Sequence, residues 1–385
     1  ELTTALARIR DSFVIARNTA ITFKGKPIDA KAIGKDLSVR YVLEGSVQQS
    51  GDRMRVNAQL IDAGSGAHLW AEQFDTPRAD LLQMQDAIVA HLAHAMDFQL
   101  IQAEGARVNR TPAANRDAED LAFQCDAGFW KTGWIGKEAD AAYALCEQAL
   151  TIDPNNVRAL RVLGVKFLAP VLRGLSGDPR SDLERADELV SKALALDPDG
   201  PLNHAMKGNI LRTQGRAEEA VAEHERALAL DPSSLMAVVS LGFDYAMLGQ
   251  FDKGLEYFDK AILLSPHDPF LAQFYGGKAF ANFGLKRYDQ AIDWARQAIA
   301  INPEKGVPFH ACLVAALSLA GHETQAREAL KRYLALASTG PLKTIAAWKV
   351  YFSAQGGDPP RVEMTERIYD GLRKAGMPEG DAKSN

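Results

Sequence analysis

The sequence predicts a mainly α protein: an α-solenoid of helix pairs preceded by a small α/β domain with an antiparallel meander. Three observations carry this reading. Proline closes the same phrase repeatedly (ALTIDP, ALALDP, ALALDP, ILLSP, IAINP) at Pro154, Pro198, Pro232, Pro266 and Pro303, and the gaps Pro198 to Pro232 and Pro232 to Pro266 are both 34 residues. Self-similarity at a fixed period marks stacked supersecondary units. Within those units apolar residues recur at three- and four-residue steps, whereas over Arg53 to Leu60 the period drops to two.

The first hundred residues come first in order. Glu1 to Ile9 reads as an amphipathic helix, with Leu2, Leu6 and Ile9 on one face, and Ser12 to Ala16 as a short strand. A helix follows at Ala30 to Leu37. Arg53 to Leu60 alternates strictly, Met54, Val56, Ala58 and Leu60 against Arg53, Arg55, Asn57 and Gln59, as a half-buried strand must. Ser50-Gly51-Asp52 and Gly64-Ser65-Gly66 bracket it as hairpin turns, which makes Tyr41 to Gln49 and Ala67 to Phe74 its neighbours. Leu81 to Met96 is helical. The polar stretch 101–118, with Pro112, reads as a linker.

Residues 119–337 then supply about six helix pairs, and 338–385 a carboxy-terminal helical cap and tail, with a helix near Val362 to Lys374. The clearest unit runs from Leu235 to Pro266. Val238, Leu241, Tyr245 and Leu248 share one helix face, Gly249 ends that helix, and Phe251, Leu255, Phe258, Ala261 and Ile262 line the second. Gly242 sits where the second helix must come close, and Pro266 stops it. Gly208, Leu211, Gly215, Ala220, Ala227 and Pro232 repeat the pattern. Gly276, Tyr288, Ala291, Ala298 and Pro303 do so with a three-residue insertion. An earlier unit carries Gly164, Ala186, Ala193 and Pro198, with PVLRGLSGDPRSD expected to loop out between its helices.

These positions resemble the tetratricopeptide (TPR) repeat, which has small residues at its eighth and twentieth places, an aromatic near the twenty-fourth, alanine at the twenty-seventh and proline at the thirty-second. The Leu235 unit matches nearly all of them and departs at Gly254. The first hundred residues resemble the TolB amino-terminal-like domain of bacterial signalling proteins. The blocks Ile33-Gly34-Lys35-Asp36-Leu37, Tyr41 to Val47, Arg53 to Val56, Gln59 to Asp62 and Leu69 to Glu72 carry that resemblance. It implies a domain placed before TPR repeats and after an effector, either a class III adenylate/guanylate cyclase or a winged helix. The closing Gly371-Leu372-Arg373-Lys374-Ala375-Gly376-Met377-Pro378 is similar to the tail of the cyclase-fused members. The resemblance further implies an entering strand ahead of Glu1, so the first strand of this domain is expected to be missing. Its sheet should then show an open edge or pair with a second molecule as a homodimer.

Composition narrows function. With 385 residues and a net charge of −5, and with no basic runs, the chain offers no nucleic-acid surface. No apolar run is long enough to span a bilayer. Cys125, Cys146 and Cys312 all fall in apolar helical settings; reduced core thiols in a cytoplasmic protein are the simplest reading, a bridge between Cys125 and Cys146 is not excluded, and a periplasmic location is the alternative.

No catalytic motif is complete, and no cofactor or metal is called for. Gly133-Trp134-Ile135-Gly136-Lys137 lacks the Ser or Thr and the upstream glycine of a phosphate loop. His91 and His94 could share a metal but have no third ligand nearby. His224-Glu225 and His322-Glu323 are half of a zinc-protease motif, and Ser65 is explained by a hairpin turn. The candidates left are inner-face positions of the first helices: Arg161, Asn209, Arg212, Met236, Phe243, Met247 and Phe280. Aromatics and methionines suit an apolar peptide or helix, and the polar members could hold a carboxylate or a backbone. The bland alternative is that the Phe and Met residues pack between repeats. The function expected is therefore a non-enzymatic interaction, scaffold or sensor module that binds a protein or peptide in the TPR groove. The alternative is the regulatory region of an adenylate/guanylate cyclase.

Overall fold

The computed structural model describes residues 29–50, 53–77, 117–132, 134–232, 234–265, 270–303, 307–336, 342–353 and 359–380, together with a few isolated positions. The helices expected at Glu1 to Ile9 and Leu81 to Met96, the strand at Ser12 to Ala16 and the linker up to residue 116 lie outside them. The chain falls into two compact units: Glu1–Arg116 with Asp231–Ser234, and Asp117–Leu230 with Leu235–Asn385.

In the first unit, helix α1 (Ala30–Leu37) is capped by Asp29, whose carboxylate accepts from the Lys31 amide at 3.1 Å. It ends at Ser38 in the left-handed region. The strands β1 (Tyr41–Ser50), β2 (Arg53–Asp62) and β3 (His68–Pro77) form an antiparallel meander in the order β1-β2-β3. The alternation in β2 has its expected result. Ala58 and Leu60 are buried, while Arg55, Asn57 and Gln59 make cross-strand pairs with Asp75, Ser46 and Glu44 on the other face. Leu60 pairs with Trp70 but Ile61 with His68, so Leu69 is a bulge residue. Asp62 builds the second turn. Its carboxylate accepts from both the Ser65 amide and the Ser65 hydroxyl, and these bonds hold its pKa below the usual carboxylate value. Gly34 is required by packing: a Cβ there would lie 2.3 Å from that of Ala63, so α1 rests directly on the end of β2.

In the second unit twelve helices pair in sequence: α2 (Ala118–Thr132) with α3 (Lys137–Ile152), α4 (Val157–Leu172) with α5 (Pro179–Leu196), α6 (Pro201–Thr213) with α7 (Ala217–Leu230), α8 (Leu235–Met247) with α9 (Phe251–Leu264), α10 (Leu271–Gly284) with α11 (Tyr288–Ile301), and α12 (Val307–Leu319) with α13 (Glu323–Ala335). Two more, α14 (Ile345–Ser353) and α15 (Pro359–Ala375), follow. The expected α-solenoid behind an antiparallel meander is therefore observed.

The glycine frame works by close approach. A Cβ on Gly242 would sit 2.8 Å from the Phe258 ring, and one on Gly277 of the next pair 2.3 Å from it, so this fully buried ring is clasped by two glycines of successive repeats. Gly208 faces His224 in the same way, at 2.6 Å.

Two expectations are corrected. The stretch PVLRGLSGDPRSD does not loop out. Pro170 lies in the last turn of α4, and Pro179 is the first residue of α5 behind an Asp178 cap that accepts from the Ser181 amide, so only residues 173–178 lie between the helices. Cys125 and Cys146 are not free thiols. They face each other across the α2–α3 pair with Cα atoms 5.5 Å apart, within bridging distance, and form a disulfide. Cys312 is free and buried, and burial pushes its thiol up to about 12.

Candidate partner-binding groove

The first helix of each pair, α2, α4, α6, α8, α10 and α12, supplies the inner face. Two polar nodes stand out on it. At the junction of the first two pairs, the Asp126 carboxylate accepts from Arg158 at 2.8 Å and from Arg161 at 2.9 Å, and it is almost fully buried. Arg158 also donates to Glu119 and lies 3.8 Å over the Phe123 ring.

The second node joins α6, α7 and α8. The fully buried Asp244 accepts from Arg212 at 3.0 Å on one oxygen and meets His224 Nδ1 at 2.5 Å on the other. His224 Nε2 lies 3.0 Å from the Ala205 carbonyl. Arg212 donates to Asn209 Oδ1 at 2.7 Å and to the Ser240 carbonyl at 3.3 Å, and the Ser240 hydroxyl donates to the same Asn209 oxygen. His224 stands 34 residues before Phe258, in the aromatic place of its repeat. A histidine in that place needs a polar partner, and the next repeat supplies Asp244.

The expected binding residues distribute unevenly over this face. Asn209, Arg212 and Phe243 come together, the guanidinium lying 5.7 Å over the Phe243 ring, which itself meets Phe258 edge-on at 4.9 Å. Met236 and Met247 lie half-buried on the same helix as Phe243, and Met236 packs against the core of the preceding repeats. Arg161 belongs to the other node. Phe280 packs into the carboxy-terminal core, 6.3 Å from the Phe309 ring. The arginines therefore spend their donors on internal carboxylates, and the apolar residues are half-covered. Sequence reading missed Asp126 and Asp244. The available signal was a lone acid in an otherwise apolar helix face, one repeat away from an out-of-place histidine.

A further feature is that residues 342–353 and 359–380 pack against the ends of these helices. The Trp348 indole, fully buried, donates to Tyr333 at 3.2 Å, and Tyr333 donates to the Leu342 carbonyl. Tyr351 donates to the Leu172 carbonyl at the end of α4 at 2.9 Å, and its ring lies against Gly174. Arg367 donates to the Gly284 and Phe283 carbonyls at the end of α10, at 2.9 and 3.2 Å. The closing residues return to α14: the Pro378 and Glu379 carbonyls accept the Ile345 and Ala346 amides, both at 2.9 Å, at its N-terminus, where Thr344 Oγ1 accepts from the Ala347 amide at 3.2 Å.

Among the described residues no three His, Cys, Asp or Glu side chains converge, and the Asp244–His224 pair is bonded to Arg212 and a main-chain carbonyl; His91 and His94 lie outside the described residues. Nor is any helix among them long and apolar enough to cross a membrane.

This geometry is that of a TPR solenoid, a protein–protein interaction scaffold whose repeat fold is itself non-catalytic. The tetratricopeptide repeat family matches residues 203–234 and 233–304. Over 220 residues the chain is 30% identical to a Rhizobium meliloti (strain 1021) protein named "Putative adenylate cyclase 3", a match covering 57% of this chain and 37% of that protein. It is 25% identical over 124 residues to Hsp70-Hsp90 organizing protein 3 of Arabidopsis thaliana, covering 32% of this chain and 22% of that one. The matches thus span well under half the length of these relatives. Among solved structures, the APC/C hetero-tetramer Cut9-Hcn1 superposes with a TM-score of 0.51 at 17% identity, over 69% of this chain and 49% of that one. A monomeric IFIT1 mutant does so with a TM-score of 0.52 at 16% identity, over 74% and 70%. At these identities the likeness is one of fold.

Proposed function

We propose that this chain is the interaction or sensor module of a bacterial signalling protein, and that its inner face receives a segment of a protein partner. The observation that carries this reading is the half-buried run of Met236, Phe243 and Met247 on one helix beside the Asn209–Arg212 pair: an apolar anchor site with donors at its edge. Arg161 and Phe280 extend the same face on either side. The TolB-like reading of the first hundred residues belongs with this proposal, as does a homodimer through the edge of its sheet.

The test is capture by the immobilised chain. Phe243→Ala with Met247→Ala is expected to weaken retention of a bacterial partner at least tenfold while the protein still melts cooperatively. Unchanged retention by the folded variant would refute the reading. Arg212 is unsuitable as a probe, because its removal strands Asp244.

A second reading has its own support. The match to "Putative adenylate cyclase 3" favours a chain that serves as the regulatory region of a nucleotide cyclase. Cyclic nucleotide production by a whole protein bearing this chain should then change with Phe243→Ala, and an unaltered rate would count against it. On location, the Cys125–Cys146 bridge supports an oxidising compartment, the periplasmic alternative to the cytoplasmic one. Alkylation of both cysteines in cells, before any reductant is added, would reverse that preference.

A further inference from the structure

The carboxy-terminal segment runs across the ends of several first helices, not only the last pair. Tyr351 reaches the carbonyl of Leu172, 179 residues earlier in the chain. Arg367 takes two carbonyls at the end of α10, Gly371 packs on Ala315 of α12, and Met364, Ile368, Tyr369 and Leu372 are buried in one core with Phe283 and Ala315. Phe280, one of the expected binding residues, packs against that core. At the amino end of α15, Arg361 is buried: burial holds it down to about 10, the like charge of Arg212 acts in the same direction, and Tyr351 and Tyr369 oppose it. Arg212 belongs to the polar node at the centre of the face. An amphipathic helix with cationic donors, laid against apolar anchors and helix-end carbonyls, is what a helix-in-groove ligand looks like.

We propose that α15 is a built-in occupant of the groove, and that a partner helix and α15 exclude one another there. This rests on the partner-binding reading above and adds its regulation: the face opens when α14 and α15 release. The ligand that competes is an amphipathic helix of the same chemistry, with apolar residues at three- and four-residue steps and an arginine or lysine at each end. The segment closes on itself, its own tail capping α14, and so leaves as a unit.

The test uses the full chain and a fluorescent peptide of residues 359–377. Gly371→Leu places side-chain atoms where a Cβ already lies 2.6 Å from the Ala315 Cα, and should expel α15. The peptide is expected to bind Gly371→Leu at least tenfold tighter than the parent, and amide exchange at residues 172–175 and 283–286 should accelerate in that variant. Equal binding to both, or unchanged exchange, overturns the proposal. Should Gly371→Leu fail to fold, Arg367→Ala removes the two carbonyl contacts together with the guanidinium's place over the Phe283 ring, and should tighten peptide binding at least threefold; a folded Arg367→Ala that binds as the parent does overturns it equally. The two readings fail separately. Partner capture that depends on Phe243 yet is the same in parent and opened variants refutes the regulation alone. Peptide entry into opened variants, with capture indifferent to Phe243 and Met247, refutes the partner reading alone.

Discussion

Asp244 decides more than any other single residue. Its side chain is inaccessible to solvent, yet it satisfies His224 and Arg212 at once, on separate oxygens. A buried carboxylate of this kind contributes specificity as much as stability: it admits one register of α7 against α8, because only there do both donors reach it. Its removal leaves a buried imidazole and a largely buried guanidinium without their acceptor. Asp244→Ala is therefore expected to destabilise the repeats by about 3 kcal/mol, whereas Asp244→Asn, which keeps the shape and an acceptor, should cost clearly less. Chemical denaturation of the two variants checks this; equal losses would mean that charge, not shape, holds the node. Little of the node was legible beforehand. Residue types and helix faces can be read from spacing, but which acid an arginine meets across a repeat boundary depends on side-chain reach between helices distant in sequence.

At the scale of elements, most of the solenoid was legible, because each helix pair announces itself locally. The turn inside each pair needs one residue with positive φ, and Gly215, Gly249 and Gly321 fill that place at φ of 79°, 71° and 85°. The fifth pair breaks the rule: Lys286 occupies the same turn at φ 62°. A side chain in that region costs about 1 kcal/mol, and glycine returns part of the gain through the freedom of its unfolded chain. The Lys286–Glu363 ion pair is exposed on both sides and contributes little. Lys286→Gly should then stabilise the protein by about 0.5 kcal/mol, seen as a small rise in melting temperature; a fall would show that the ion pair outweighs the strain. The misread element is the α4–α5 connection. Proline is tolerated in a last turn and favoured in a first one, and both cases occur here at Pro170 and Pro179.

On the scale of the whole molecule, the carboxy-terminal segment changes how a repeat array should behave. An open solenoid is held by contacts between neighbours, so its stability is a sum along one dimension and its ends fray independently. Here Tyr351 and Leu342, from beyond the sixth pair, lie against Leu172 and Gly174 of the second, and Arg367 grips the fifth. These contacts were invisible in the sequence, since no period relates residue 351 to residue 172; they exist because a curved array brings its ends within reach of a short returning segment. Such a tie converts nearest-neighbour stability into a closed loop, and the second to sixth pairs should unfold together. The full chain is expected to show one urea transition for the repeats. Tyr351→Phe removes a single hydrogen bond, about 1 kcal/mol, and leaves the ring in place, so as a plain contact it would only shift the midpoint. If the segment is a tie, Tyr351→Phe should also lower the m-value, as the pairs begin to unfold in parts. A shifted midpoint with the m-value intact would mean that the repeats cohere without it.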